Sequence, residues 1–289
     1  MELVPSSSSL LHYVDSCRQE HGGFTYGGQA ASLEATRFAL EVFALLASAP
    51  ASPGEIVGWV QSCRGPDGGY GVTPGANSDL GSTYYGVRAL TLLGQEVTFA
   101  ARCEEYVNSL RASDYGFRST VVQEASDIDS TFYAIRALAL LGRLHTNLKN
   151  CAEFLQSIQL KDGGFASRIG GGANVEATYC AVHIMKVLDP VYGDPRVSRW
   201  VCLHQASVGG FRNTFAEPPS SPATYWAVHT LQLLNAIGFN RDACNRWLSG
   251  CRTSAGGFAR APESGVADLW ATYASVAALK LLLESWVKS

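Results

Sequence analysis

A Gly-Gly-aromatic turn recurs along this chain at nearly constant spacing, and no other feature constrains the fold as much. The turns end at Phe24, Tyr70, Phe117 (here Tyr-Gly-Phe), Phe165, Phe211 and Phe258, in steps of 46, 47, 48, 46 and 47 residues. Such a period holds one helix pair with its connections, and six periods cover nearly all 289 residues. After each turn comes an apolar segment with helical spacing, of which EASDIDSTFYAIRALALLGRL (Glu124 to Leu144) is the clearest. Six such segments align on a threonine: Thr36, Thr83, Thr131, Thr178, Thr224 and Thr272. Four residues earlier stand Ser32, Asp79, Asp127, Asn174, Ser220 and Asp268, all helix N-capping types. Three residues later stand Ala39, Gly86, Ala134, Ala181, Ala227 and Ser275, small enough for close helix packing.

Between the turns runs a second helix set: SLLHYVDSC, GEIVGWVQSC, FAARCEEYVNSL, NLKNCAEFLQSI, DPRVSRWVCLH and RDACNRWLSGC. No stretch shows convincing strand alternation, so the expectation is an all-α chain of about twelve helices. Two architectures satisfy this, an open superhelical solenoid and a closed toroid with inner and outer rings. An open array usually ends in polar caps. Here the last repeat, DLWATYASVAALKLLLESWV, is as apolar as the middle ones, which favours closure. The expected fold is a single (α/α)6 barrel (toroid) of six helix-pair repeats over residues 1–289.

At 47% hydrophobic and 16% charged residues the chain is globular. A net charge of −3 without a basic block gives nucleic acid no footprint. The start, MELVPSSSSLLHYV, lacks the basic and apolar regions of a secretory signal, and no apolar run is long enough to span a membrane. Peripheral contact with membranes stays open, as does the choice between monomer and homodimer. Among eight cysteines, Cys17, Cys63 and Cys251 occupy one repeat position and no Cys-x-x-Cys pair occurs. They read as reduced packing residues of a cytoplasmic protein.

Within the threonine-aligned helices, positions −2, +2 and +5 share a face. That face varies between repeats: Glu34, Phe38, Glu41; Gly81, Tyr85, Arg88; Asp129, Tyr133, Arg136; Glu176, Cys180, His183; Pro222, Trp226, His229; Trp270, Ala274, Ala277. It is expected to line a central cavity, with acids at the mouth, while the constant Ala/Val/Leu face packs outward. Arg88 and Arg136 read either as counter-ions of the mouth acids, which is preferred, or as holders of an anionic head group.

Inner helices such as STYYGVRALTLLG and DSTFYAIRALALLG, with these turns at this period, resemble the prenyltransferase and squalene-cyclase repeat superfamily. The resemblance covers essentially the whole chain and implies an (α/α)6 barrel holding isoprenoid chains. Its zinc-dependent protein prenyltransferases carry an Asp-x-Cys pair and a histidine, for which this chain has Ser221, Ala223 and Ala271. Asn174 stands where those enzymes place a diphosphate-holding histidine. The resemblance thus implies no metal and no other cofactor.

Its other branch, the β-domain of class II terpene cyclases, uses an Asp-x-Asp-Asp-Thr motif whose middle acid protonates an alkene or epoxide. This chain has Asp127-Ile128-Asp129-Ser130-Thr131, departing at Ser130. A further departure is that such cyclases usually pair this domain with a second barrel. The resemblance implies a metal-independent, proton-initiated cyclase of a linear polyprenyl substrate, with Asp129 and Asp127 as the catalytic acids. A helix N-terminus strengthens Asp129 as an acid, whereas Asp127 and burial near Phe132, Tyr133 and Tyr85 favour its protonated form. Phe38, Tyr85, Tyr133, Trp226 and Trp270 would offer aromatic faces to the cation. Phe132, Glu176, Cys180, His183 and His229 complete the expected substrate-binding set, the histidines also being candidate bases. A non-catalytic isoprenoid- or partner-binding protein is the alternative. A β-subunit that needs an α-partner is the third reading.

Overall fold

The computed structural model describes residues 7–27, 30–144 and 150–283. Residues 147–149 of the fourth expected helix of the second set, the tail of the last repeat from residue 284, and positions 1–6 used for the leader reading lie outside that range. The described residues contain twelve α-helices in chain order: α1 Ser7–Ser16, α2 Leu33–Leu45, α3 Pro53–Ser62, α4 Leu80–Leu92, α5 Ala100–Ser109, α6 Ile128–Leu140, α7 Cys151–Ile158, α8 Val175–Leu188, α9 Pro195–Leu203, α10 Ser221–Leu233, α11 Arg241–Gly250 and α12 Leu269–Leu283. The even-numbered helices are the threonine-aligned ones.

The all-α expectation holds, with short ladders added at the turns. Tyr70–Gly71 (β1) pairs antiparallel with Ser78–Asp79 (β2), and isolated bridges such as Arg18↔Phe24 and Ala259↔Ala267 occur in other repeats. Two-residue ladders closing a turn carry no side-chain alternation, so the sequence could not announce them.

The aligned residues do three separate jobs. The −4 side chain caps its helix: Asp127 Oδ1 accepts from Ser130 N at 2.7 Å, and Ser32, Asp79, Asn174, Ser220 and Asp268 act alike. Each threonine hydroxyl accepts the backbone N–H of the turn aromatic, and those of Thr36, Thr83, Thr131, Thr178 and Thr224 donate to the carbonyl of the cap residue. Thr131, for instance, gives 2.8 Å to Asp127 O and receives Phe117 N–H at 3.0 Å. The same bridge recurs at Thr36, Thr83, Thr178 and Thr224, and Thr272 accepts Phe258 N–H in the same way. All six threonines are fully buried, so the hydroxyl satisfies backbone groups that water cannot reach. The +3 residue is small because the turn aromatic lies on it; a Cβ on Gly86 would fall 2.7 Å from the Tyr70 ring.

The turn glycines receive the next odd-numbered helix. A Cβ on Gly69 would meet the Tyr106 ring at 2.6 Å, and one on Gly210 the Trp247 ring at 2.6 Å. The sixth turn is covered in the same way by the first helix, where a Cβ on Gly257 would meet the Tyr13 ring at 2.5 Å and Arg252 donates to Ser9 Oγ at 2.7 Å.

The structure divides into two compact units. One comprises Met1–Val14 with Leu155–Ser289, and the other Asp15–Phe154. In the second, α2, α4 and α6 pack side by side; in the first, α8, α10 and α12 do. In both, the first residue of an even-numbered helix donates its N–H to the loop of the following repeat: Leu33 to Val72, Leu80 to Ser119, Val175 to Asn213 and Ser221 to Arg260. These bonds fix neighbouring helix N-termini at one level.

Candidate active site

In the unit Asp15–Phe154, the N-termini of α2, α4 and α6 and the loops before them surround a cavity of about 430 Å³. Glu34, Asp79, Asp127, Asp129, Tyr85 and Tyr133 are among its walls. Asp129 is half-buried in the first turn of α6, as its −2 position anticipates. Asp127 is the cap of that helix, and both its oxygens accept hydrogen bonds. Ser130 N (2.7 Å) reaches Oδ1, while Ser130 Oγ (2.8 Å) and Gln123 Nε2 (2.8 Å) reach Oδ2. Ser130, the departure from the cyclase motif, is thus a hydrogen-bond donor to Asp127.

Tyrosines close the cavity. Tyr85 Oη lies 2.8 Å from Tyr133 Oη and 3.1 Å from Glu34 Oε1, so phenols link two helices to a mouth acid. Burial, with Tyr133 and Glu34 beside it, pushes the Tyr85 phenol well above its ordinary range. Tyr133 stacks on Tyr84 at 5.6 Å and meets Tyr85 and Phe132 edge-on at 5.3 and 5.6 Å. Phe132 is buried at position +1, beside the −2/+2/+5 face and not on it.

Farther along the same helices lies a charged layer. Arg88 grips Glu41 through two bonds, Nε–Oε1 at 2.8 Å and Nη2–Oε2 at 3.0 Å. Arg88 is thus the counter-ion of Glu41, a +5 acid, which corrects the expectation that it would pair with the mouth acids. Arg37, at the overlooked +1 position, lies 3.9 Å over the Phe38 ring and 5.1 Å from that of Tyr85, and approaches Glu41 at 3.9 Å.

The remaining expected residues gather in the other unit. There Tyr225 Oη stands 2.9 Å from Tyr273 Oη, 3.3 Å from Tyr179 Oη and 3.2 Å from His229 Nδ1. His183 meets His229 edge-on at 4.6 Å, and Trp270 packs against Trp226 and Tyr273, each at 5.7 Å. Cys180 is buried, and Glu176 is half-buried in the first turn of α8. Tyr84, Tyr179, Tyr225 and Tyr273 were missed because they too occupy +1. The signal was available, since five of six repeats have an aromatic there.

The positions that the resemblance would assign to zinc do not suit it. Ser221 is fully buried and donates to Ala259 O at 3.2 Å, and Ala223 and Ala271 have no donor atoms. Among the described residues no group of three or more His, Cys, Asp or Glu side chains is placed to hold a metal ion.

Six helix pairs, capped and stitched in this manner, define a class. The sequence profile of the prenyltransferase alpha-alpha toroid domain matches residues 4–52 and 50–288, and the chain belongs to that family. Its fold is accordingly an all-α toroid. Among solved structures, the chain is similar to Candida albicans protein geranylgeranyltransferase-I complexed with GGPP, at 14% identity and TM-score 0.77, covering 97% of this chain and 91% of that one. It is similar also to a variant of the type II terpene cyclase MstE from Scytonema in complex with geranylgeranyl dihydroxybenzoate, at 13% identity and TM-score 0.73, with 97% of each chain covered. A third likeness, ent-copalyl diphosphate synthase from Streptomyces platensis, is 16% identical with TM-score 0.60, covering 86% of this chain and 50% of that one. No curated protein matches in sequence. The Scytonema enzyme is nearly coextensive with this chain, whereas the chain spans about half of the Streptomyces platensis enzyme.

Proposed function

We propose that this protein is a metal-independent type II terpene cyclase that folds a linear polyprenyl substrate and closes its rings by protonation at Asp129. The observation that carries the reading is Asp129 itself, a half-buried acid opening into a phenol-walled cavity beside the capped Asp127. The solved type II cyclase of matching length supports it, as does the loss of zinc-ligand chemistry at Ser221, Ala223 and Ala271.

In this mechanism Asp129 gives its proton to a terminal alkene carbon, whose π electrons form the new C–H bond. The tertiary cation left behind is attacked by the next alkene, and each closure moves the charge along the chain. Loss of a proton from a neighbouring carbon returns an electron pair as a double bond, so the reaction is an isomerisation. Asp127, fixed by Ser130 and Gln123, sets the charge beside the acid. Phe38, Tyr85, Phe132 and Tyr133 offer ring faces to the cation and keep water from it.

No described helix is long and apolar enough to cross a membrane, and a cytoplasmic location belongs to this same reading. The test is incubation of the purified protein with geranylgeranyl- and farnesyl-type substrates in the presence of a chelator. Cyclic isomers of the substrate are expected. Tight binding with every substrate returned unchanged would replace the cyclase with an isoprenoid-binding protein.

A further inference from the structure

We propose that the first Gly-Gly turn carries a ligand site for a small organic carboxylate with a flat apolar body. The site is a second cavity of the unit Asp15–Phe154, about 480 Å³ in volume, whose walls include His21, Ala31, Trp59, Thr73 and Pro74. None of these residues lines the cavity that holds Asp129, so the site stands independently of the chemistry there.

One turn differs from its neighbours in a way that leaves a hydrogen bond unmade. In the second, third and fourth turns the residue three before the aromatic is an aspartate: Asp67, Asp114 and Asp162. Each accepts the backbone N–H two residues on, from Gly69, Gly116 and Gly164, at 3.1, 3.2 and 3.2 Å. Each also accepts from a side chain that closes over the turn. Asp162 Oδ2 takes the Trp200 indole N–H at 3.1 Å, while Asp67 and Asp114 take the hydroxyls of Ser78 and Ser126 at 2.7 and 2.6 Å. The aspartate therefore does two tasks, one for the backbone and one for a covering side chain.

The first turn has His21 in that slot. Its Nδ1 accepts Gly23 N–H at 3.4 Å, which is the first task. In the neutral ring this leaves the proton on Nε2, a donor, so the second task is not done. Trp59 covers this turn as Trp200 covers the fourth, for a Cβ on Gly23 would fall 2.6 Å from its ring. Ala31 stands at the −5 position that holds Ser78 and Ser126, and has no polar side-chain atom. Among the described residues, Trp59 Nε1–H has no hydrogen-bond partner. Trp59 is only 7% exposed, and a tryptophan so buried ordinarily gives its N–H to an acceptor.

The cavity wall thus offers two donors, the Trp59 indole and His21 Nε2–H, and no acidic residue lines it. A ligand carboxylate supplies from outside what Asp162 supplies from within, and a charged acceptor makes the stronger bond. Ala31 and Pro74 give its body an apolar rest, as does the imidazole, which lies 10° from parallel to the indole at 6.0 Å between centroids. The fifth turn is the internal control. There Trp247 covers Gly210, but Val208 in the aspartate slot puts no second donor beside it.

Indole N–H resonances of isotope-labelled protein read the site directly, with sodium 2-naphthoate as the probe and 2-naphthylmethanol as its neutral counterpart. Trp59→Phe identifies the Trp59 signal. Naphthoate should shift that signal saturably and leave the Trp247 signal in place. The alcohol should bind at least about tenfold more weakly. His21→Asp returns the internal acceptor, so it should move the Trp59 signal without ligand and weaken naphthoate binding at least about tenfold. Unmoved signals from the other tryptophans report that this variant keeps its fold. A Trp59 signal unchanged by naphthoate up to about 10 mM, equal shifts at Trp59 and Trp247, or binding that survives His21→Asp would overturn the site. Equal binding of acid and alcohol would overturn its assignment to a carboxylate.

Discussion

At the scale of single residues, Asp129 and the six threonines are different kinds of position. Asp129→Asn keeps the side-chain size and first-turn geometry but has no proton to give. If Asp129 is the acid, turnover should fall at least ~10²-fold. Stability should move by only about 0.3–1 kcal/mol, the worth of a charge at a helix N-terminus. Glu176→Gln, the same slot in α8, is the control, and equal small losses in both assays would place the acid elsewhere. Thr131→Val should cost about 1–3 kcal/mol in denaturant unfolding, since it orphans the buried Phe117 N–H, while Thr131→Ser should cost less. The sequence displayed the threonine column plainly but not its purpose. The bond runs to a backbone amide 14 residues upstream, and backbone partners leave no mark in side-chain spacing. Tyr115 is another residue that only conformation explains. It adopts φ +68° in the one turn that lacks the first glycine, whereas Gly68 and Gly163 take the equivalent strain freely. Tyr115→Gly should therefore raise stability, by up to about 1 kcal/mol.

At the scale of elements, the helices and their caps were legible because capping residues and apolar period coincide in every repeat. The lining was half legible. A face drawn through −2, +2 and +5 found Glu34, Tyr85, Asp129 and Tyr133, yet it omitted the +1 residues that join one helix to the next. Those tyrosines pack sideways onto neighbouring helices, and a helical wheel drawn for one helix contains no neighbour. The repeat position after the odd-numbered helices makes a separate point. Cys63 and Cys251 there give their thiols to Trp59 O and Trp247 O, and burial pushes both thiols up to about 12. In the fifth repeat that position is His204, buried, with Nδ1 3.0 Å from Trp200 O and its ring stacked on Phe215 at 4.0 Å. Desolvation lowers its pKa from the ordinary 6.5. The folded state therefore binds fewer protons than the unfolded one once pH falls below that ordinary value. The stability contributed by neutral His204 is complete above pH 6.5 and is lost as pH falls from there toward the lowered folded value. Urea unfolding at pH 7.5 and 5.5 should show that loss in the wild type and a smaller one in His204→Cys, which places there the residue that three other repeats carry (Cys17, Cys63 and Cys251).

At the scale of the whole molecule, the sequence favoured closure on the apolar character of its last repeat, and the contacts give that preference a cause. Each Gly-Gly turn is a socket for the aromatic of the next odd-numbered helix: Trp59 on Gly23, Tyr106 on Gly69, Trp200 on Gly164 and Trp247 on Gly210. The sixth turn has no later helix to fill it, and Tyr13 of α1 does so, with Arg252 bonded to Ser9 beside it. Residues 7–14 accordingly belong to the same compact unit as α8–α12, although the whole of Asp15–Phe154 separates them in sequence. In an open solenoid the two ends are independent, and loss of the first helix would be felt by the first repeat alone. Here Tyr13→Ala should empty the sixth socket and cost about 3–5 kcal/mol, as for a large buried aromatic. Hydrogen exchange distinguishes the cases, because the variant should speed exchange in α11 and α12 as well as in α1. Acceleration confined to α1 and α2 would mean that the sixth turn does not depend on the first helix, and closure through Tyr13 would be wrong.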